Sequence, residues 1–159
     1  RLSASGANKQ PLKYITSTNR EINEKIFSCL AWAAYLKDWD GPEKGERPTA
    51  YIIILGDKNI SSSFGCDHGI AAQSILLRAV EKGYGGCIIG SIKKEDLSRL
   101  LMIPDQFEIL LVIALGKPKE KVIIEEITSD GDIKYYRDEN GIHHVPKRKL
   151  EDIIIKNYI

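Results

Sequence analysis

Two apolar runs, Ala50–Leu55 (AYIIIL) and Phe107–Leu115 (FEILLVIAL), constrain this chain more than any other feature. Both are dominated by β-branched and aliphatic residues with little alternation, the signature of strands covered on both faces. Helical sequence lies around them. Thr18 followed by Glu21 fits a capping box and predicts a helix from about Arg20 to Leu36. Asp67 predicts the cap of a second helix, His68 to Lys82, with Ala72, Ile75, Leu76, Ala79 and Val80 on one face. Gly83-Tyr84-Gly85-Gly86 stops that helix, and Cys87–Ile89 reads as a short buried strand. A small helix from Ser91 to Leu101 is closed by Pro104, and Leu12–Thr16 is a further short strand.

Beyond Gly116-Lys117-Pro118 the texture changes. KVIIEEI, DIKYY and IHHV alternate as paired strands do, with turns at Asp130-Gly131 and Asn140-Gly141. Arg148–Lys156 reads as an amphipathic closing helix. No repeat or linker interrupts the sequence, so residues 1–159 are expected to form a single α+β domain.

Charge excludes some functions. Lys and Arg number 23 against 22 Asp and Glu, a net charge of +1, which lacks the basic surplus of a nucleic-acid protein. The apolar runs fall well short of the ~20 residues a membrane helix needs. The three cysteines are not spaced as CxxC, and no stretch reads as a signal peptide, so a reducing cytoplasm is expected. The sequence opens on Arg1-Leu2-Ser3 rather than Met, which suggests a longer protein that has lost its beginning.

Chemistry is sparse. Gly83, Gly85, Gly86 and Gly90 suggest a phosphate loop, but they leave a helix and enter a strand. A dinucleotide fingerprint runs the other way, from strand to helix N-terminus. They read either as a helix C-cap before a tightly packed strand or as room for a flat ligand to approach backbone. Cys66, His68, Cys87, His143 and His144 carry metal-ligating atoms without any structural zinc spacing, so no metal is expected. Cys87 is expected to be a neutral, buried thiol, and the two histidines bystanders. No GxSxG elbow is present. Pro146-Lys147-Arg148-Lys149 reads in isolation as a solvated helix start, but cations disfavour a helix N-terminus, and an anion held there would explain the placement.

In combination these pieces resemble the nitroreductase family of FMN-dependent oxidoreductases. Ser3-Ala4-Ser5-Gly6-Ala7-Asn8-Lys9-Gln10-Pro11 is similar to the family's A-P-S-x-x-N-x-Q-P-W segment, with Ala4 for Pro and Leu12 for Trp. Asp67-His68-Gly69-Ile70-Ala71-Ala72-Gln73, followed by Gly83–Gly90 (GYGGCIIG), is similar to A-A-Q-N-L-L-L-A-A and G-L-G-T-C-W-I-G. Leu115-Gly116-Lys117-Pro118 resembles the L-G-Y-P strand end, and Pro146–Leu150 the basic segment near the C-terminus. The family's N-terminal Arg-Arg-Ser motif has no counterpart.

The resemblance implies a mixed, mainly antiparallel sheet flanked by helices, in an intertwined homodimer with FMN at each subunit interface. It implies ping-pong hydride transfer from NAD(P)H to flavin, then to a nitro compound, quinone or similar acceptor. Ser5 and Asn8, with Gln10 beside them, match flavin-contacting positions, Ser5's segment reaching in from the partner subunit. The Ile88-Ile89-Gly90 backbone matches the stretch packed on the ring, and Arg148 with Lys147 the phosphate-binding cations. Chemistry carried by the cofactor asks for few catalytic side chains. A dehalogenating or flavin-consuming relative would need lid residues, for which the 37–49 loop with Trp39 is the local candidate. The alternative from another class is a non-catalytic flavin-binding or dimerisation module, its activity lost with the N-terminus.

Overall fold

A computed structural model describes residues 1–127 and 131–158. They divide into two compact units, one of Arg1–Trp32 with Asp40–Pro118, the other of Ala33–Trp39 with the described residues from Lys119 onward.

The first unit is built on the two apolar runs. β2 (Ala50–Asp57) and β4 (Phe107–Gly116) pair antiparallel at the centre of a four-stranded sheet. β1 (Leu12–Ser17) flanks β2 and β3 (Gly85–Ile89) flanks β4, giving the order β1-β2-β4-β3 with every pairing antiparallel. The lack of alternation has the expected cause. Tyr51, Ile53, Leu55 and Val112 are buried on one face against Ile26 and Leu97, while Ile54 and Ile113 are buried on the other against Ala72. Full burial of such side chains contributes about 1.5–3 kcal/mol each, so this pair of strands dominates the core. The helices α1 (Arg20–Ser28) and α3 (Lys94–Leu101) supply the first cover and α2 (Asp67–Glu81) the second.

Several boundaries differ from expectation. α1 is capped by Asn19, whose side chain accepts from the Ile22 amide, rather than by Thr18. It ends at Ser28 instead of Leu36 because the next residues pair elsewhere. Ala31 N donates to Ser91 O at 3.0 Å and Lys93 N to Cys29 O at 2.8 Å, around a Leu30–Ile92 bridge. The same pairing delays α3 to Lys94. β3 is an edge strand in which only Ile89 reaches the core, so Cys87 is exposed rather than buried.

α2 stops as its glycines predict. Gly83, at φ +74°, donates to Val80 O at 2.9 Å, and Tyr84 N to Ala79 O at 2.9 Å, which is a Schellman closure. Val80, expected on the buried face, lies exposed.

In the second unit, β5 (Val122–Glu126) runs parallel to β7 (His143–Lys147), and β6 (Tyr136–Arg137) antiparallel to it. The Asn140-Gly141 turn forms, with Gly141 at φ +74° donating to Asp138 O at 3.0 Å. Of the turn expected at Asp130-Gly131, Asp130 lies outside the described residues, and Gly131 stands at φ +75°. The closing helix is a single exposed turn, α4 (Leu150–Ile153), rather than Arg148–Lys156, and its apolar side chains Leu150 and Ile153 are exposed.

Candidate functional site

The loop entering β1 carries three of the five positive-φ non-glycine residues among those described. Ala7, Asn8 and Gln10 all have positive φ, at 49°, 54° and 53°. Asn tolerates this region; Ala and Gln do so at roughly 1–2 kcal/mol each. Such a conformation persists only where surroundings impose it, and it concentrates at binding and catalytic sites.

Asp67, in the first turn of α2, is bonded to this loop. Its Oδ2 accepts from the Ser5 hydroxyl at 2.6 Å and its Oδ1 from the Gly6 amide at 2.9 Å. Ser5 Oγ in turn accepts from Gln10 N at 2.9 Å, and the Gln10 side chain donates to Asn8 O at 3.2 Å. Asp67 is therefore not the helix cap that its position suggests; Cys66 stands there, without a capping side-chain bond. The Ser5 hydroxyl and the Gly6 amide hold the Asp67 carboxyl below the usual carboxylate range. Ser5 spends its only hydroxyl proton on Asp67, so a ligand meets a Ser5 oxygen that can only accept. Asn8 and Gln10 remain exposed. A cleft of about 280 Å³ lies between this loop and the turn before α2, lined by Ala7, Lys9, Ser61, Ser62, Ser63 and Phe64 among others.

Ile88, Ile89 and Gly90 occupy the opposite edge of the sheet. The register places Leu12 beside Gly56 and Ile89 beside Val112, with β2 and β4 intervening between the two edges. Three strand spacings separate β1 from β3, roughly 14 Å between axes. None of the three residues lines the cleft beside the loop. Within one chain, the two sets of expected site residues stay on separate edges. Ile88 is 40% exposed and Ile89 buried. A Cβ on Gly90 would meet only Leu111 Cδ2, at 3.9 Å, so its outer side is open to a flat group. Gly86 is different: a Cβ there would lie 2.6 Å from Ala114 O and 2.9 Å from Leu76 Cδ2, so this glycine serves packing of α2 on the sheet.

Lys147 and Arg148 lie at the end of β7 and just beyond it, both exposed. Among the described residues neither forms an ion pair, whereas neighbouring Lys149 reaches Glu126 at 3.5 Å. The histidines of β7 are held by carboxylates. His143 Nδ1 lies 3.0 Å from Glu120, which also takes Arg137, and His144 Nδ1 lies 3.0 Å from Glu125 while its ring stacks on Tyr136 at 4.7 Å. The bond to Glu125 pushes the His144 imidazole up from its ordinary value. Arg137 also covers Trp39, at 4.3 Å from the ring centroid. Among the described residues no three His, Cys, Asp or Glu side chains group to hold a metal, and no helix is long and apolar enough to cross a membrane.

Comparison with known proteins agrees with this architecture. The model of the nitroreductase family matches residues 1–117, and the chain belongs to that family. Over 74% of the chain and 73% of the relative it is 26% identical to the "Putative NAD(P)H nitroreductase MhqN" of Bacillus subtilis (strain 168). It is 33% identical to a "Putative NADH dehydrogenase/NAD(P)H nitroreductase" of Methanothermobacter thermautotrophicus over 73% of the chain, and spans 60% of that relative's length. A solved structure of the same description from Parabacteroides distasonis superposes with a TM-score of 0.61 at 26% identity, covering 76% of this chain and 69% of that one. An FMN-dependent nitroreductase from Clostridium difficile R20291 shares the fold at 18% identity and a TM-score of 0.63, covering 99% and 82%.

The site residues read from the sequence omit Asp67. It carries a helix-start pattern of its own, and nothing local signals a partner 62 positions upstream.

Proposed function

We propose that the chain is an FMN-dependent oxidoreductase that draws hydride from NADH or NADPH. It delivers that hydride to a nitro compound, a quinone or a similar acceptor, the two substrates taking turns in one pocket. The observation that carries this reading is the strained loop at Ala7, Asn8 and Gln10, tethered from Ser5 and Gly6 to Asp67. It fixes the backbone that carries the exposed Asn8 side chain, in the segment that resembles the family's flavin-contacting motif. Membership of the family and the names of the relatives support the same reading.

The residues present suit FMN. Asn8 offers a donor and an acceptor to the polar edge of a flavin, and Ser5 Oγ an acceptor. The open side of Gly90 lets a flat ring approach the backbone without a side chain in the way, beside the half-exposed Ile88. Lys147 and Arg148 offer charge-assisted donors to a phosphate. When bound, FMN supplies the reversible acceptance of hydride that these side chains lack. Because the Ser5–Gln10 loop and Ile88–Gly90 sit on opposite edges of one sheet, a complete pocket takes the loop from one copy and the strand end from another. A homodimer is therefore part of the proposal, and the cytoplasm, with its pool of NAD(P)H, its location.

The test is an FMN titration of the purified protein followed by anaerobic addition of NADH. A yellow protein bleached by NADH and re-oxidised by a quinone is the expected result. A folded protein that stays colourless with excess FMN overturns the proposal.

A further inference from the structure

We infer that Asp67 is a positioning residue of the flavin site, acting through Ser5 and Gly6 to hold the Ser5–Gln10 loop in its left-handed form. The inference rests on the functional reading above and adds to it a residue outside the motif that carries that reading. Asp67 is buried at the first turn of α2, yet its carboxylate faces away from the helix's own amides toward a loop 61 and 62 positions earlier. Each oxygen has one partner there. The hydroxyl it takes from Ser5 leaves Ser5 Oγ as an acceptor, and the Gln10 amide fills that role. Gln10 is itself at positive φ, as are Ala7 and Asn8, so the chain of bonds spans the strained stretch from end to end. Among the described residues Asp67 is the one member of α2 with a hydrogen bond to the loop, and without it Ala7 and Gln10 would relax toward ordinary backbone. The backbone that carries the exposed Asn8 side chain would then lose its fixed course. Tyr14 and His68 are the titratable neighbours of the carboxylate, and neither replaces its bonds.

Asp67→Ala, Asp67→Asn, Ser5→Ala and the Ser5→Ala/Asp67→Ala double variant test this, each read by FMN titration, amide hydrogen exchange and thermal unfolding. Asp67→Ala is expected to raise the FMN dissociation constant by roughly tenfold or more. The double variant should lose less affinity than the two single losses added together, because Ser5 and Asp67 share one set of bonds while Ser5 Oγ also faces the flavin. Asp67→Asn keeps an acceptor for the Gly6 amide and should fall between wild type and Asp67→Ala. Exchange at Gly6 and Gln10 should accelerate in Asp67→Ala while the β2 and β4 amides stay protected, a pattern that general destabilisation would not give. Unchanged exchange at Gly6 and Gln10 overturns the inference, whatever happens to flavin affinity. Accelerated exchange with unchanged FMN affinity overturns it also. A wild-type protein that binds no FMN overturns the flavin reading, and with it the claim that the loop serves that site, while the exchange data still report whether Asp67 holds the loop.

Discussion

At Gly86 the absence of a side chain is a packing requirement. An added methyl would sit 2.6 Å from the Ala114 carbonyl, a backbone atom of the paired strand that cannot move without separating β3 from β4. Gly86→Ala should cost about 1–3 kcal/mol, visible as a lower midpoint in urea unfolding. Gly69 offers the opposite case. It lies in the first turns of α2 with nothing within 4 Å of a built Cβ, so Gly69→Ala should add about 0.5–1 kcal/mol. His144 supplies a pH test. Its folded pKa is raised, chiefly by the bond to Glu125, so its contribution is complete below the unfolded value of about 6.5 and fades as pH rises through the folded value. The melting temperature should fall as pH rises above about 6.5, and His144→Gln should flatten that fall. Asp138 behaves inversely: the Ile142 amide holds its carboxyl low, so its contribution is lost only in acid.

Among elements, β2 and β4 were legible because a strand buried on both faces writes its environment into every residue. α2 and its glycine closure were legible for a related reason, since the Schellman bonds are local in sequence. Reading fails where a distant partner decides. α1 ends at Ser28 because Leu30 pairs with Ile92, and the helical spacing of Leu30 and Ala33 cannot reveal that competitor. Cys87 carries the apolar company of a core residue but belongs to an edge strand, and edge position is a property of the sheet. The bonds from Ser5 and Gly6 to Asp67 join two motifs that the sequence presents separately. The basic segment is the element-scale test of the proposed site. Arg148 lies just past β7 with no ion pair among the described residues, so Arg148→Ala should weaken FMN roughly 10- to 150-fold with the thermal midpoint unchanged. Unaltered affinity in a fluorescence titration would move the phosphate to Lys147 or elsewhere.

For the whole molecule, the sheet order carries the strongest consequence. One copy sets the strained loop beside β1 and the Ile88–Gly90 strand end at the far edge, so the proposed pocket, which uses both, would be assembled from two copies. α2 shows an apolar face suited to that assembly. Ile70, Leu77 and Val80 follow a helical i, i+7, i+10 spacing, and Leu77 and Val80 are 63% and 65% exposed. Covering such a stripe with its equal on a second chain removes apolar area from water at about 25 cal/mol per Å². Sedimentation at micromolar concentration should therefore show a dimer, and Leu77→Glu with Val80→Glu should shift it toward monomer by placing like charges across the contact. FMN affinity should fall together with dimerisation, because each pocket would lose the loop that the partner supplies. A double variant that sediments as a folded monomer and still binds FMN with wild-type affinity would show that one chain completes the pocket alone, and the two-copy site would have to be abandoned.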